Sequence, residues 1–208
     1  MNSIEKLAEY FAKFPGIGGR QAKRFVYFLL AQDRHFSKEL AALLLDVRRN
    51  VRQCSRCRRF YLSPSNEVEE TICDVCRNLN TEKTLLMVVE KDIDFENIRK
   101  MGLYDGRFFI LGGSLPLLEK NPDTRIRVKE LFGEVQRAVQ DDGLKEIILA
   151  LSVNPEGENA ALYIKKVLGP LAEKFSLKIS TLGRGLSTGT ELEYSDSDTL
   201  GNALKNRG

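Results

Sequence analysis

The sequence predicts a multi-domain α/β protein in which two small modules precede a parallel sheet. Three observations support this prediction. The first fifty residues follow the apolar period of helices, with one glycine-rich break. Four cysteines then follow in two close pairs. From Thr84 onward, short apolar runs alternate with helical stretches, which is the order of a parallel sheet joined by right-handed crossovers.

The N-terminal region predicts three helices. The first spans about 3–13, and Asn2 with Glu5 has the pattern of a capping box at its start. The second spans about 19–32. The third spans about 37–52 and begins at Ser37, a residue type suited to a helix N-cap. We expect the apolar side chains of this third helix to face inward: Leu40, Leu44, Val47 and Val51.

The break between the first two helices reads Phe14-Pro15-Gly16-Ile17-Gly18-Gly19. Glycines permit a tight turn and a close approach by a ligand, and the start of the next helix offers free amides to a phosphate. Neither a P-loop nor a dinucleotide-binding turn fits, because no strand precedes these glycines and no G-K-[ST] follows. The layout is that of a helix-hairpin-helix, with three cations early in the second helix: Arg20, Lys23 and Arg24.

The charge distribution supports a polyanionic ligand for this region. The net charge of the chain is +3, yet residues 1–60 hold 13 Lys and Arg against 5 Asp and Glu. A basic N-terminal part indicates backbone contact with DNA, because phosphate contacts fix position without reading sequence. The alternatives are a solvated basic face and an ordinary helical turn that needed glycine.

The four cysteines have the spacing C-x2-C-x15-C-x2-C. Two close pairs can bring four thiolates to one point, as a tetrahedral zinc site requires. We expect one structural Zn²⁺ per chain, because four cysteine ligands leave no open position for water. Paired disulfides, or four unrelated buried thiols, are the alternatives. The predicted ligands are Cys54, Cys57, Cys73 and Cys76.

The remainder predicts four strands, near 84–89, 107–111, 146–151 and 177–182. Helices near 94–101, 125–139 and 157–175 separate them, and a short helix near 198–206 follows. Glu90 follows the first strand, and Glu156 and Glu158 follow the third. Carboxylates at the carboxyl ends of strands could hold Mg²⁺; the alternative, which we favour, is that they cap the next helices.

Other classes of protein are disfavoured. No apolar run reaches the length of a membrane helix, and the N-terminus lacks a signal-peptide pattern, so we expect a cytoplasmic protein with no membrane partner. His35 is the only histidine, and the zinc assignment leaves no free cysteine. A classical catalytic triad therefore cannot be built.

The order of these features resembles the RecR family of bacterial recombination mediators over the whole chain. The resemblance rests on these stretches taken in order: Phe14-Pro15-Gly16-Ile17-Gly18, the four cysteines, Val88-Val89-Glu90 with Asp94, Leu111-Gly112-Gly113, Glu156-Gly157-Glu158, Leu192-Glu193-Tyr194 and Thr199-Leu200.

The resemblance implies four regions: a helix-hairpin-helix region over 1–53, a zinc finger over 54–77, a Toprim domain over 78–172 and a C-terminal region over 173–208. It implies that Arg20 and Arg24 contact DNA. It also implies a Walker-B-like segment with Glu193 and Asp196. The Toprim acidic positions, a candidate site for Mg²⁺ or a partner, are Glu90, Asp94, Glu156 and Glu158.

For function, the resemblance implies a non-enzymatic, nucleoid-associated scaffold in recombinational DNA repair. Such a protein forms dimers or ring-shaped tetramers on duplex and gapped DNA without sequence preference. With RecO, and in some settings RecF, it helps load RecA at single-stranded gaps. The alternative is a Mg²⁺-dependent Toprim enzyme of the nuclease, primase or topoisomerase type. A third hypothesis is a zinc module that binds proteins and carries incidental basic charge.

Overall fold

The chain divides into two units, residues 1–51 and 52–208. The computed structural model describes residues 2–63, 71–183, 185–186, 189 and 191–205. Within these residues, no helix has both the length and the apolar character needed to cross a bilayer.

The first unit consists of three helices, as the apolar periodicity predicted: α1 (Ser3–Phe11), α2 (Gly19–Ala31) and α3 (Arg34–Asn50). The capping box is confirmed, since the Asn2 side chain accepts a hydrogen bond from the Glu5 N–H at 2.9 Å and the Glu5 carboxylate accepts one from the Asn2 N–H at 3.1 Å. The predicted N-cap at Ser37 was wrong. α3 begins three residues earlier because the Asp33 carboxylate accepts from the Phe36 N–H at 2.8 Å.

The core of the first unit joins α1 to α2. Ala8, Ala22 and Val26 are buried together, and Phe11 and Ile17 pack against them. The inward orientation predicted for α3 was wrong for Leu44 and Val47, which are 66% and 55% exposed. α3 buries no residue, and most of its apolar side chains, with Leu44 and Leu45 the most exposed, lie on the surface of this single chain.

The second unit is built around one parallel sheet. Its elements follow in the order β1 (Val51–Gln53), β2 (Phe60–Leu62), α4 (Asp74–Arg77), β3 (Glu82–Val89), α5 (Asp92–Met101), β4 (Gly106–Ile110), α6 (Pro122–Arg125), α7 (Val128–Asp142), β5 (Glu146–Ala150), α8 (Pro155–Phe175), β6 (Lys178–Thr181), a 3-10 helix (Leu192–Tyr194) and α9 (Ser197–Lys205). β1 and β2 form a separate two-stranded sheet.

The main sheet has the strand order β4-β3-β5-β6, and all three pairings are parallel. This confirms the predicted α/β architecture. β3 lies in the middle, where Val88 pairs with Phe109 on one side and Leu149 on the other. The carboxyl ends of β3 and β5 are therefore neighbours, although a long stretch of sequence separates them.

Both faces of this sheet are buried. Successive side chains of a strand point to opposite faces, so alternate residues enter different clusters. Leu86 and Val88 of β3 point into the larger cluster, where they pack with residues of α7 and α8. Met87 and Val89 point to the other face, where Phe95 of α5 covers them. The sheet is thus a rigid support for the residues at its ends.

Candidate metal centre and nucleic-acid interface

The four cysteines lie at two turns. Cys54 and Cys57 occupy the turn between β1 and β2, where the Cys54 N–H donates to the Arg59 carbonyl oxygen at 2.9 Å. Arg58 closes this turn with a φ of 64°, a left-handed conformation that is uncommon outside glycine. Cys73 is the N-cap of α4, and Cys76 lies within that helix.

The sulfur atoms converge on one point. All four Sγ atoms lie within 4.8 Å of one another. Cys54 Sγ is 3.8 Å from Cys76 Sγ, and Cys57 Sγ is 3.6 Å from Cys73 Sγ. Two sulfurs that each lie about 2.3 Å from a tetrahedral zinc are about 3.8 Å apart. The disulfide alternative is wrong, because all four thiols are free. The donor set therefore fits a tetrahedral metal ion.

The protonation of the cluster also favours a cation. The hydrogen bond with Cys57 lowers the pKa of Cys54, and the same contact raises the pKa of Cys57. The pKa of Cys76 is raised as well, first by its contact with Cys54. Four adjacent sulfurs cannot all carry negative charge unless a positive ion sits among them. A metal that binds thiolates supplies that charge and releases the protons.

The cysteine module is joined to the main sheet through its backbone. The Cys57 carbonyl oxygen accepts a hydrogen bond from the Ile110 N–H at 2.8 Å, on the outer edge of β4. The Phe60 N–H donates to Asp92 Oδ1 at 2.8 Å at the start of α5. The first bond attaches the cysteine module to β4, an edge strand of the main sheet, and the second attaches it to α5.

A network of ion pairs strengthens this attachment. Arg56, between the first two cysteines, reaches Glu134 Oε1 at 3.4 Å and Asp142 Oδ2 at 3.3 Å on α7. Asp142 also contacts Arg107 of β4, and Arg137 at 2.7 Å. The hydrogen bond from Arg107, followed by that from Arg137, lowers the pKa of Asp142 well below its ordinary value. Three cations thus surround one mostly buried carboxylate.

The predicted hairpin is present between α1 and α2. Gly16 adopts a φ of 75°, which favours glycine, and the Ile17 N–H donates to the Phe14 carbonyl oxygen at 3.1 Å. Gly18 is the N-cap of α2 and provides no side-chain oxygen to the first turn. The amides at the start of this helix are therefore left for another acceptor.

The three cations of α2 lie on its solvent face. Arg20, Lys23 and Arg24 are all exposed, whereas Ala22 and Val26 of the same helix are buried against α1. Lys23 also lines a cleft shared with α1. The structure thus brings the predicted DNA-binding residues together on one surface next to the hairpin.

The Toprim acidic positions do not converge in the same way. Glu90 is only 3% exposed, and Ser152, after β5, holds both of its carboxylate oxygens: the Ser152 N–H donates at 2.8 Å and its hydroxyl at 2.9 Å. Asp94 accepts from the Lys91 N–H at 2.9 Å at the start of α5. Glu156 accepts from the Ser114 hydroxyl at 2.8 Å.

Glu158 is exposed in the first turn of α8. Over the residues that the structure describes, the four cysteines are the only group of three or more His, Cys, Asp or Glu side chains placed to hold a metal ion. The carboxylates at the sheet edge are thus engaged separately: Asp94 accepts at the start of α5, whereas Glu90 is bound by Ser152.

The two Walker-B-like residues lie outside the sheet. Glu193 is exposed in the 3-10 helix. Asp196 precedes α9, and its carboxylate accepts from the Thr199 N–H and hydroxyl, both at 2.8 Å. This arrangement makes Asp196 the N-terminal cap of α9.

Three family models match the chain: "RecR, helix-hairpin-helix" at residues 4–48, "Toprim domain" at 84–182 and "RecR, C-terminal" at 185–207. A Recombination protein RecR from Chloroherpeton thalassium is 35% identical over 207 residues, which cover 99% of this chain and 96% of that protein. The protein of the same name from Lactobacillus acidophilus is 33% identical over 204 residues, with coverage of 98% and 96%. The chain belongs to the RecR family. This confirms the resemblance inferred from the order of the motifs.

Sequence reasoning missed two features of this RecR-family chain. The first is Ser152, whose only sequence signal is its place directly after a predicted strand. The second is the ion-pair network around Asp142, because Arg56 gave no sign that it would bind α7. Serine and arginine are both common in loops, so the partners of Ser152 and Arg56 could not be chosen from sequence alone.

Proposed function

We propose that this protein is a non-enzymatic DNA-binding scaffold of recombinational repair. The observation that carries the proposal is the exposed cluster of Arg20, Lys23 and Arg24, next to a hairpin that the RecR helix-hairpin-helix model matches. Exposed cations beside free helix amides suit phosphates of the DNA backbone. Binding of this kind holds duplex and gapped DNA without sequence preference.

In this proposal, each of the four regions has its own role. Residues 1–53 contact DNA, residues 54–77 hold one structural Zn²⁺, and residues 78–172 and 173–208 provide the Toprim and C-terminal surfaces for assembly. Cys54, Cys57, Cys73 and Cys76 would be the zinc ligands, since their sulfur separations match tetrahedral coordination. Zinc would fix the loop that carries Arg56 and so support the attachment to β4.

The surroundings of Glu90 support the part of the proposal that assigns no enzymatic activity to this protein. The two carboxylate oxygens of Glu90 accept hydrogen bonds from Ser152, and among the described residues Glu90 belongs to no group of three or more His, Cys, Asp or Glu side chains placed to hold a metal ion. The match of residues 84–182 to the Toprim domain favours the runner-up, a Mg²⁺-dependent nuclease, primase or topoisomerase. Incubation with Mg²⁺ and supercoiled DNA separates the two: cleavage or relaxation that is lost on Glu90→Gln would establish the enzyme.

The proposed partners follow from the family. We infer a homo-oligomer, either a dimer or a ring tetramer, because the exposed apolar face of α3 is suited to contact with a second copy. We further infer that RecO, and in some settings RecF, binds this scaffold so that RecA is loaded at single-stranded gaps. The exposed acids Glu156 and Glu158, together with Glu193, are candidate contacts for such partners.

The salt dependence of DNA affinity tests the central claim. Fluorescence anisotropy with two duplexes of unrelated sequence, between about 50 and 200 mM salt, should show a steep and equal fall in affinity as counterion release weakens. Arg20→Ala with Arg24→Ala should weaken binding to both duplexes equally. The same variant should lower the slope of log affinity against log salt by about 1 for each phosphate that the chain no longer neutralises.

Lys165→Ala with Lys166→Ala is the matched control, because both lysines are exposed on α8 in the other unit and the net charge changes equally. This control should keep the affinity of the unmodified chain. Equal losses of affinity in the two double variants would show that binding follows net charge alone, and a loss confined to one of the two duplexes would show that bases are read.

A further inference from the structure

The outer face of α1 and the turn that follows it display two aromatic rings among lysines. Tyr10 and Phe14 are 57% and 55% exposed. Lys13 places its Nζ 4.7 Å from the centroid of the Tyr10 ring, and Lys6 lies one helical turn before Tyr10 on the same face. We call these four residues the aromatic–lysine face.

The Phe14 ring is held in position from behind. It packs edge-to-face on Phe11 with a centroid separation of 5.9 Å, and Phe11 packs in the same way on Phe25 at 5.8 Å. The backbone of Phe14 is fixed at both ends, since its N–H donates to Phe11 and its carbonyl oxygen accepts from Ile17. Because the Phe14 ring is already ordered, stacking of a ligand on it costs little conformational entropy.

Glu9, three residues after Lys6, is its neighbour on the helix surface, and Glu5 is held by its hydrogen bonds with Asn2. Glu5 and Glu9 line the cleft toward α2 together with Gly19 and Lys23. The rings of Tyr10 and Phe14 thus lie near two lysines, Lys6 and Lys13, and one glutamate, Glu9, so the formal charge of these neighbours is net positive. An aromatic surface that is also cationic is suited to a ligand that has both flat rings and negative charge.

We propose that the aromatic–lysine face binds the unpaired bases of single-stranded DNA at the edge of a gap. Bases would stack on Tyr10 and Phe14, and their phosphates would contact Lys6 and Lys13. Phe14 begins the hairpin that leads directly into α2, so the unpaired strand would continue from the duplex backbone held there. The inference rests on the proposed DNA binding and narrows its substrate to the single-strand–duplex junction.

The chemistry of the surface favours DNA over a second copy of the chain. The exposed face of α3 is aliphatic, with Leu44 and Leu45 as its most exposed members, and it is the better candidate for protein contact. Tyrosine and phenylalanine between lysines offer stacking and charge together. Single-stranded nucleic acid uses both, and it does so without a need for a particular sequence.

The test compares a duplex, a single strand and a gapped duplex that carries 2-aminopurine at its first unpaired position. Tyr10→Ala with Phe14→Ala should weaken binding to the gapped and single-stranded probes about tenfold or more, leave duplex binding unchanged, and abolish the quenching of 2-aminopurine on binding. Tyr10→Phe with Phe14→Tyr keeps both rings and should restore binding and quenching. Tyr194→Ala, an exposed aromatic in the other unit, is the control that should change neither.

The outcomes separate this inference from the proposed function. If the unmodified chain fails to bind duplex DNA, the proposed function fails. If it binds duplex through Arg20 and Arg24, yet the double alanine variant binds gapped DNA as before, only the stacking inference is overturned. A variant that keeps its quenching but forms a smaller oligomer would show that a second copy covers this face, which also overturns the inference. Lys6→Gln with Lys13→Gln should weaken binding to the gapped probe without disturbing the ring packing.

Discussion

Glu90 at the end of β3 and Ser152 after β5 are joined by two hydrogen bonds, one from the Ser152 N–H to Glu90 Oε1 at 2.8 Å and one from its hydroxyl to Glu90 Oε2 at 2.9 Å. The two residues are 62 positions apart in sequence. The pair ties together the carboxyl ends of two neighbouring strands. Glu90 is also one of the acidic positions that the resemblance to the RecR family singled out.

Ser152→Ala tests the structural weight of this pair. The variant removes the hydroxyl donor and leaves one oxygen of a buried carboxylate without it, so the free energy of unfolding should fall by about 1–3 kcal/mol. Urea denaturation followed by circular dichroism measures the change. Ser55→Ala, an exposed serine, should stay within about 0.5 kcal/mol of the unmodified chain. If Ser152→Ala left the free energy of unfolding unchanged, Glu90 would be stabilised mainly by other groups.

Gly157→Ala should destabilise the same edge of the sheet. A Cβ at this position would overlap the Ser152 carbonyl oxygen and come within 3.0 Å of Glu90 Oε1. We expect the free energy of unfolding to fall by about 1–3 kcal/mol from this overpacking. Gly133→Ala is the matched control, because a Cβ there meets nothing within 4 Å and Gly133 lies inside α7. It should stabilise the chain by about 1 kcal/mol. Equal shifts in the two melting temperatures would contradict the prediction.

Asp142→Asn should change how stability depends on pH. The contacts with Arg107 and Arg137 lower the pKa of Asp142 in the folded chain below its ordinary value of 3.8. A lowered folded-state pKa adds stability that is fully present above the unfolded pKa and is lost as pH falls through the folded one. The difference in unfolding free energy between the unmodified chain and Asp142→Asn should therefore be constant from about pH 7 to 5 and shrink below about pH 4.

Asp141→Asn is the control for this experiment, since Asp141 is exposed and contacts only Arg137 in the same network, at 3.3 Å. It should produce a much smaller difference at neutral pH. A difference for Asp142→Asn that does not shrink at low pH would mean that the ion pairs are not its cause.

Cys73→Ser should remove the metal from the cysteine cluster. The variant takes away one of four thiolates that converge within 4.8 Å, so zinc bound per chain should fall from about one toward zero on dialysis. Hydrogen exchange should then accelerate in β1, β2 and α4, because metal binding supplies folding free energy there. The control is again Ser55→Ala, in the same turn as Cys54 and Cys57. Retention of one zinc per chain by Cys73→Ser would refute the ligand assignment.

Leu44→Glu with Leu45→Glu should reduce the oligomeric state. These side chains are 66% and 70% exposed in the single chain, and charge on them would disfavour an apolar contact between copies. Light scattering should give a multiple of 23.5 kDa for the unmodified chain and a smaller multiple for the variant. Leu162→Glu, on an exposed position of α8, should leave the mass unchanged. A monomeric unmodified chain would remove the basis of this prediction.

Much of the fold and part of the site could be predicted from local patterns. Helices and strands have different apolar periods, so the three N-terminal helices and the alternation after Thr84 could be recognised. The cysteine pairs could be recognised for a similar reason: a C-x2-C turn places both thiols on the same side within a few residues. The hairpin and its cations were predictable because glycine, helix start and basic residues all lie within one short segment.

The sequence by itself determined the local units of this protein: the hairpin with Arg20 and Arg24, the cysteine turns and the parallel sheet. Only the tertiary structure decided which distant groups meet. Glu90 meets Ser152 because β3 and β5 are neighbours in the sheet, and Arg56 meets Asp142 because the cysteine module packs on β4. The tertiary structure also decided that Leu44 is exposed, because an apolar helix face is buried only if another element covers it. Local spacing governs contacts within a few residues, whereas strand order and packing govern the rest.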